Sequence, residues 1–302
     1  MSIRKPNFFV IGAMKAGTSS FHQLIGRHPD VFMSDFKEPQ YFAPHKLPFR
    51  GWWGEGKQLP SPGPQWYLDL FREAGSAKWL GESSTAYTKR PLVEGCVERI
   101  HRFNPDARLI YVVRDPVDRA VSHYWHFVRY GSETRDMLPA FRHRPQYTQI
   151  SDYAMQLEPY VKAFGRDRIC IVRFEDVKED ASSCMRSVWQ WLGIDEDVNV
   201  GTLPRENPGA YELWRIRGIF RPFLKFRFHW RYKRLVQAMP DRLRETCRSL
   251  CSKRVLRKEY DEADARAFMR EQLRARTEQF CTEFAVSAEG WAEVLPPSLR
   301  RD

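Results

Sequence analysis

The sequence predicts an α/β protein whose mainly parallel central sheet is flanked by helices in three layers. Short apolar runs alternate with amphipathic stretches along most of the chain, as a sheet covered on both faces requires. The first run, FFVIG (Phe8–Gly12), passes through a glycine-bounded turn straight into a helical pattern. A second strand-to-helix junction, VVRDPVDRAVSHY, repeats that arrangement farther along.

In order, FFVIG is the first strand and Gly17 to Arg27 the first helix; HPDVFMSDFKEPQYF is a loop holding a short strand. Residues 44–66, rich in Pro, Gly and Trp, form an irregular flap beside the acceptor, where Trp52 and Trp53 suit a sugar ring or a flat aromatic group. QWYLDLF starts a helix, KWLGESS is a buried strand, and PLVEGCVERIHRF is a helix entered through Pro91. RLIYVVR is a β-branched strand. The helix after it has Asp115 as N-cap and Pro116 in its first turn. A helix from Ser151 to Phe164, a strand RICIVRFEDV and a helix from Ser182 to Leu192 follow. A single domain is expected over 1–302, with a basic, aromatic-rich helical region over 205–260.

The 302 residues carry a formal charge of +11, which implies anionic partners: nucleic acid, an anionic membrane surface or a phosphorylated small molecule. Six cysteines are scattered without a C-x-x-C pair, which speaks against a disulfide framework or a zinc site and fits a reducing compartment. No apolar run approaches the roughly 20 residues of a membrane span, and MSIRKPN is too short and polar for a leader. A cytoplasmic protein is expected, with peripheral contact at an anionic membrane as a further expectation.

The turn GAMKAGTSS asks for an anion. A helix N-terminus presents unpaired N–H groups and the positive end of the dipole, and Gly12 and Gly17 allow close backbone approach. It is not the usual nucleoside triphosphate loop, because Lys15 precedes Gly17 and Thr18-Ser19-Ser20 follow directly. At the second junction Arg114 ends its strand and Ser122 stands about two helical turns on. Read alone, Arg114 suits an anion or an ordinary ion pair with a neighbouring carboxylate. His123 and His126, three residues apart, lack the acidic or cysteine partners of a metal site.

Together GAMKAGTSS, KEPQYF, GESSTAY and VVRDPVDRAVSHY resemble, in order, four motifs of the sulfotransferases that use 3′-phosphoadenosine-5′-phosphosulfate (PAPS), especially the heparan-sulfate-type branch and its bacterial relatives. Weaker similarity extends to VRFEDVKED and to the ending AEGW. The resemblance implies a P-loop-like fold that binds the 5′-phosphosulfate on Lys15, Ala16, Gly17, Thr18, Ser19 and Ser20, with Lys15 at the bridging oxygen. It implies the 3′-phosphate on Arg114 and Ser122, Glu38 as the base that deprotonates the acceptor, and no metal cofactor.

The acceptor class it implies is a hydroxyl, less often an amine, of a carbohydrate, lipid or small metabolite. Two departures bear on that class: Ser83 stands where glycosaminoglycan-acting relatives have lysine, and Gln40 stands in place of histidine. Two alternatives remain. One is a catalytically inactive nucleotide-binding relative; the other is a basic protein that binds nucleic acid or an anionic surface, although no nucleic-acid signature is present. The stretch 213–234, free of acidic residues, reads either as a helix packed by Trp214, Phe220, Phe223 and Phe226 or as a surface for anionic lipid or glycan through Arg227, Arg231 and Arg234.

Overall fold

Strand β1 (Phe8–Gly12) lies at the centre of a five-stranded sheet in the computed structural model, which describes residues 4–44, 63–201, 212–216 and 239–291. On one side of β1 stands β3 (Trp79–Ser83), then β2 (Val31–Met33). On the other stand β4 (Arg108–Val113) and β5 (Ile169–Arg173). All four pairings are parallel, with Val10 opposite Ser83 on one flank and Ile110 on the other. Every residue of β1 is buried, so the strand needs no polar alternation and reads as a continuous apolar run.

Helices α1 (Thr18–Ile25), α2 (Pro64–Asp69), α3 (Cys96–Phe103) and α4 (Pro116–Arg129) connect or flank the first four strands. Asp115 caps α4, its Oδ1 accepting from the N–H groups of Val117 at 2.9 Å and Asp118 at 3.1 Å. The short helices α5 (Met137–His143) and α6 (Gln146–Gln149) lead to α7 (Tyr153–Phe164). Beyond β5 come α8 (Phe174–Glu179) and α9 (Ala181–Leu192). The later chain contributes β6 (Glu212–Ile216), α10 (Asp241–Cys251), β7 (Ser252–Leu256) and α11 (Ala263–Phe284). The buried Met269, Leu273 and Phe280 of α11 join the core.

Four expectations are corrected. The strand in RICIVRFEDV stops at Arg173, because Glu175 and Asp176 favour the first turn of a helix, here α8. The helix expected from Pro91 begins at Cys96, since Gly95 just before it is left-handed at φ 74°. The flap expected over 44–66 ends in helix, because Pro64 opens α2. The helical region expected over 205–260 contains two strands, β6 and β7, which pair antiparallel with Trp214 opposite Arg254. Residues 45–62, with Trp52 and Trp53, lie outside the described residues. So do 217–238, with Phe220, Phe223, Phe226, Arg227, Arg231 and Arg234.

One buried cation organises the interior. Arg119 on α4 has no exposed surface and donates to Ser151 Oγ at 2.7 Å, to the Tyr147 carbonyl at 2.8 Å and to the Met14 carbonyl at 3.3 Å. Burial lowers its pKa to about 10, which leaves it charged at neutral pH. The guanidinium thereby fastens the turn after β1 to α4 and to the segment between α6 and α7. Replacing Arg119 with Met strands these acceptors away from water, each at a cost of about 1–3 kcal/mol. Arg119→Met is therefore expected to lower the urea unfolding midpoint strongly, and Arg119→Lys to recover only part of the loss, because an ammonium lacks the planar fork. An unchanged midpoint for Arg119→Met would show the cation to be dispensable.

Candidate active site

The carboxyl ends of β1, β3 and β4 open on one edge of the sheet, and the chain passes across β1 on its way from β3 to β4. Such a switch point is where open α/β sheets hold ligands. Here β1 runs into a tight turn: Ala13 N–H donates to the Val112 carbonyl at 2.7 Å, and Ala16 N–H to the Ala13 carbonyl at 3.1 Å. Gly17 ends the turn in the left-handed region at φ 86°, and a Cβ there would overlap the ring of Phe174. Glycine is thus required both by backbone and by space. No side chain caps α1, which leaves its first-turn N–H groups to an anion, with Thr18 and Ser20 buried and Ser19 half-buried beside them.

Lys15 sits in this turn with φ 72°. Burial pushes its ammonium down to about 8, and the cations of Arg114, Arg129, Lys37 and Arg119 add repulsion. An anion placed among these groups relieves that strain directly. Arg114 itself, at the end of β4, donates to Asp118 Oδ2 at 2.8 Å, and its carbonyl accepts from Tyr153 Oη–H at 2.7 Å. The ion pair with a neighbouring carboxylate therefore exists. Ser122 is half-buried, two turns along α4.

Glu38 reaches the same edge from the loop after β2. Its N–H donates to the Ser83 carbonyl at 3.0 Å, which anchors it to the end of β3. Its carboxylate accepts from Thr85 N–H and Thr85 Oγ1–H, each at 3.0 Å, and Lys37 Nζ lies 3.6 Å away. Deeper in, Glu82 is fully buried and accepts from Tyr87 Oη–H at 2.5 Å and Ser84 Oγ–H at 2.8 Å. Burial pushes the Glu82 carboxyl up to about 8, and these hydroxyl donors offset only part of the rise while Glu38 adds to it. Two carboxyl groups thus stand near each other in unlike environments, Glu82 mostly protonated at neutral pH.

Lys89 and His22 carry no signal in the sequence, whereas His126 stood out only by its spacing from His123. Lys89, fully buried after the 3-10 turn Thr85–Thr88, has its ammonium lowered by burial to about 7 while the charge of Glu38 favours the protonated form. His22 Nδ1 lies 2.8 Å from Ser83 Oγ, and burial, followed by Lys37, pushes its imidazole down to about 4. His126 is pushed down to about 3 by burial and then by Lys15 and Lys89. His123 packs between Phe127 and Tyr147, with ring centroids at 4.3 and 4.9 Å. From the far side Glu175 joins α8 to the site: its Oε1 accepts from Asp115 N–H at 3.0 Å and its Oε2 from Trp291 Nε1–H at 3.1 Å.

Residues 5–202 match the family model of the sulfotransferase domain. The chain belongs to the sulfotransferase family. This sulfotransferase is 26% identical over 250 residues to carbohydrate sulfotransferase 15 of Homo sapiens, a match covering 63% of this chain and 44% of the relative. It is 28% identical over 204 residues to heparan sulfate glucosamine 3-O-sulfotransferase 3B1 of Mus musculus, covering 63% and 46%. The chain therefore spans less than half the length of these curated relatives. A solved sulfotransferase from Alicyclobacillus acidocaldarius is 28% identical, with a TM-score of 0.59 over 80% of this chain and 100% of that one. The resemblance read from four motifs, and the P-loop-like α/β fold it implied, are borne out.

Within this sulfotransferase Ser83 is fully buried, its Oγ 2.8 Å from His22 Nδ1, and the buried ammonium in the field of Glu38 is that of Lys89. Glu82 gives a pH prediction. Its folded pKa is raised, so between its unfolded value near 4.5 and about 8 the folded protein binds more protons and loses stability as pH rises. Glu82→Gln removes that slope. The urea midpoint of the variant relative to the parent is expected to climb from pH 5 to pH 8; a constant difference would mean that Glu82 is ionised throughout.

Proposed function

We propose that this sulfotransferase moves a sulfuryl group from PAPS to a hydroxyl of a carbohydrate acceptor. The observation that carries the reading is the meeting of Lys15, Glu38 and Arg114 at the carboxyl ends of three adjacent strands. The uncapped start of α1, the absence of room for a Cβ at Gly17 and the cations gathered around the buried Lys15 all fit a phosphosulfate. Lys15, Ala16, Gly17, Thr18, Ser19 and Ser20 hold that end of the donor, and Arg114 with Ser122 holds its 3′-phosphate. PAPS supplies a sulfuryl group already joined to a good leaving phosphate.

The protein's own groups then have separable tasks. Lys15 stabilises the negative charge that builds on the bridging oxygen as the S–O bond breaks. Glu38, oriented by Thr85, takes the proton of the acceptor hydroxyl as its oxygen bonds to sulfur. Lys89, lowered by burial to about 7, adds positive charge near that carboxylate in its protonated form. The names of the relatives, a carbohydrate sulfotransferase and a glucosamine 3-O-sulfotransferase, support a sugar hydroxyl.

Glu38→Gln retains shape without the base, so binding of 3′,5′-adenosine bisphosphate should survive while turnover with PAPS falls by roughly 10²-fold or more. Near-normal turnover would remove Glu38 from the mechanism. Lys15 must carry its proton, so kcat/KM for PAPS should decline as pH rises through about 8, the value to which burial lowers it in the unliganded protein. At saturating donor kcat holds to higher pH, because the bound anion favours the charged ammonium. In Lys15→Arg, whose guanidinium stays charged, the residual activity should lack that alkaline decline; an unchanged decline would assign it to another group.

A further inference from the structure

The loop that carries Glu38 is held in a conformation its sequence does not favour. Glu38 and Gln40 are left-handed, at φ 58° and 53°, although neither is glycine and Pro39 follows Glu38. Such a backbone persists only where its surroundings dictate it. Here every second N–H of the loop is bonded to the end of β3 or to the turn after it. Glu38 N–H donates to the Ser83 carbonyl at 3.0 Å, Gln40 N–H to Ser84 Oγ at 3.0 Å and Phe42 N–H to Tyr87 Oη at 3.4 Å. The second and third acceptors are hydroxyls, which accept from the loop best while their own hydrogens point elsewhere.

Those hydrogens are directed at Glu82. Ser84 Oγ–H donates to its Oε2 at 2.8 Å and Tyr87 Oη–H to its Oε1 at 2.5 Å, with Tyr67 Oη 3.5 Å from the same oxygen. Glu82, Ser84, Tyr67 and Tyr87 are all buried, so a misdirected hydroxyl has no bulk water to turn to.

We propose that Glu82 is a positioning residue for Glu38: its carboxylate sets the direction of the Ser84 and Tyr87 hydroxyls, and through them holds the KEPQYF loop in the left-handed conformation that places Glu38 at the end of β3. The inference rests on the reading of Glu38 as the base. Thr85 aims the carboxylate of Glu38, whereas Glu82 fixes the backbone beneath it. An ionised Glu82 accepts from both hydroxyls at once. A protonated Glu82 gives its hydrogen to a neighbouring hydroxyl, the nearer two being Ser84 and Tyr87, and that hydroxyl's own hydrogen then turns away from it. The loop is therefore held most tightly when Glu82 is charged. The titratable groups facing Glu82 are Tyr87 from the turn after β3, Glu38 from the loop and Tyr67 from α2; Lys89, at the end of that turn, stands in the field of Glu38. Burial and then the charge of Glu82 hold both phenols well above their ordinary range, so the charge change at these hydroxyls as pH passes about 8 is that of Glu82.

Amide hydrogen exchange in the unliganded full chain, read residue by residue by NMR and corrected for the intrinsic rate, tests this without an acceptor. In the parent, protection of Gln40 and Phe42 relative to the β1 amides should rise about threefold or more between about pH 6.5 and 9. That sign is opposite to the loss of global stability that Glu82 causes up to about 8, so a merely structural role would not produce it. Glu82→Gln should abolish the rise. Ser84→Ala should lower protection chiefly at Gln40 and Tyr87→Phe chiefly at Phe42, each by about tenfold. Protection that does not change with pH in the parent, a rise that persists in Glu82→Gln, or an equal loss at all amides in both hydroxyl variants overturns the inference. Near-normal turnover of Glu38→Gln, measured separately, would instead overturn the base reading while these exchange rates stood, so the two failures are distinct.

Discussion

The buried guanidinium of Arg119 is the constraint on which the arrangement depends. A charge without any exposed surface is tolerated only when its donors are satisfied, and here the acceptors are one carbonyl of the turn after β1, one carbonyl of α6 and the hydroxyl of Ser151. Meeting that requirement fixes how α4 lies against the turn, and hence how Arg114 stands relative to Lys15. Ser151 also donates to the Pro116 carbonyl at 2.8 Å, which closes the arrangement on the first turn of α4. Two half-exposed cations are thus positioned by a third that is wholly buried.

The two faces of the proposed reaction centre are built differently. The side assigned to the phosphate is backbone: a left-handed Gly17, an uncapped helix start and a turn bonded to β4. The base side consists of side chains on a second layer of hydroxyls, where Thr85 orients Glu38 and Tyr87 with Ser84 serves Glu82. Backbone suits a charge whose place is the same in every cycle, whereas a carboxylate that exchanges protons benefits from donors aimed at it.

The parts legible in the sequence are those with local causes. FFVIG followed by a glycine turn, and Asp115-Pro116 before an amphipathic run, announce β1 and α4 within a few residues. Glu38 was singled out through a motif, and its carboxylate lies at the end of β3 beside Thr85. Lys89 was not, because nothing local marks a lysine whose ammonium will be buried. Nor was the His22–Ser83 contact, whose partners are 61 residues apart, or the double role of Glu175, which joins Asp115 to Trp291. The apolar run leading into FEDV pointed to a longer strand; Glu175 and Asp176 give the helix its local cause, but the close packing of Phe174 on Gly17 at that turn shows only in the structure. β6 was hidden for the same reason: its partner β7 lies far along the chain.

The central position of β1 has a consequence for how the protein is made. The strand leaves the ribosome before its partners: β3 follows some 70 residues later and β4 some 100 residues later, and its turn is secured by Arg119 and Ser151 later still. Parallel pairing over such separations is slow because loop closure precedes the contacts that reward it. The apolar FFVIG therefore waits for about another 100 residues of translation without its sheet, and a nascent chain that stops short of β4 should be a client for chaperones rather than a partly working enzyme.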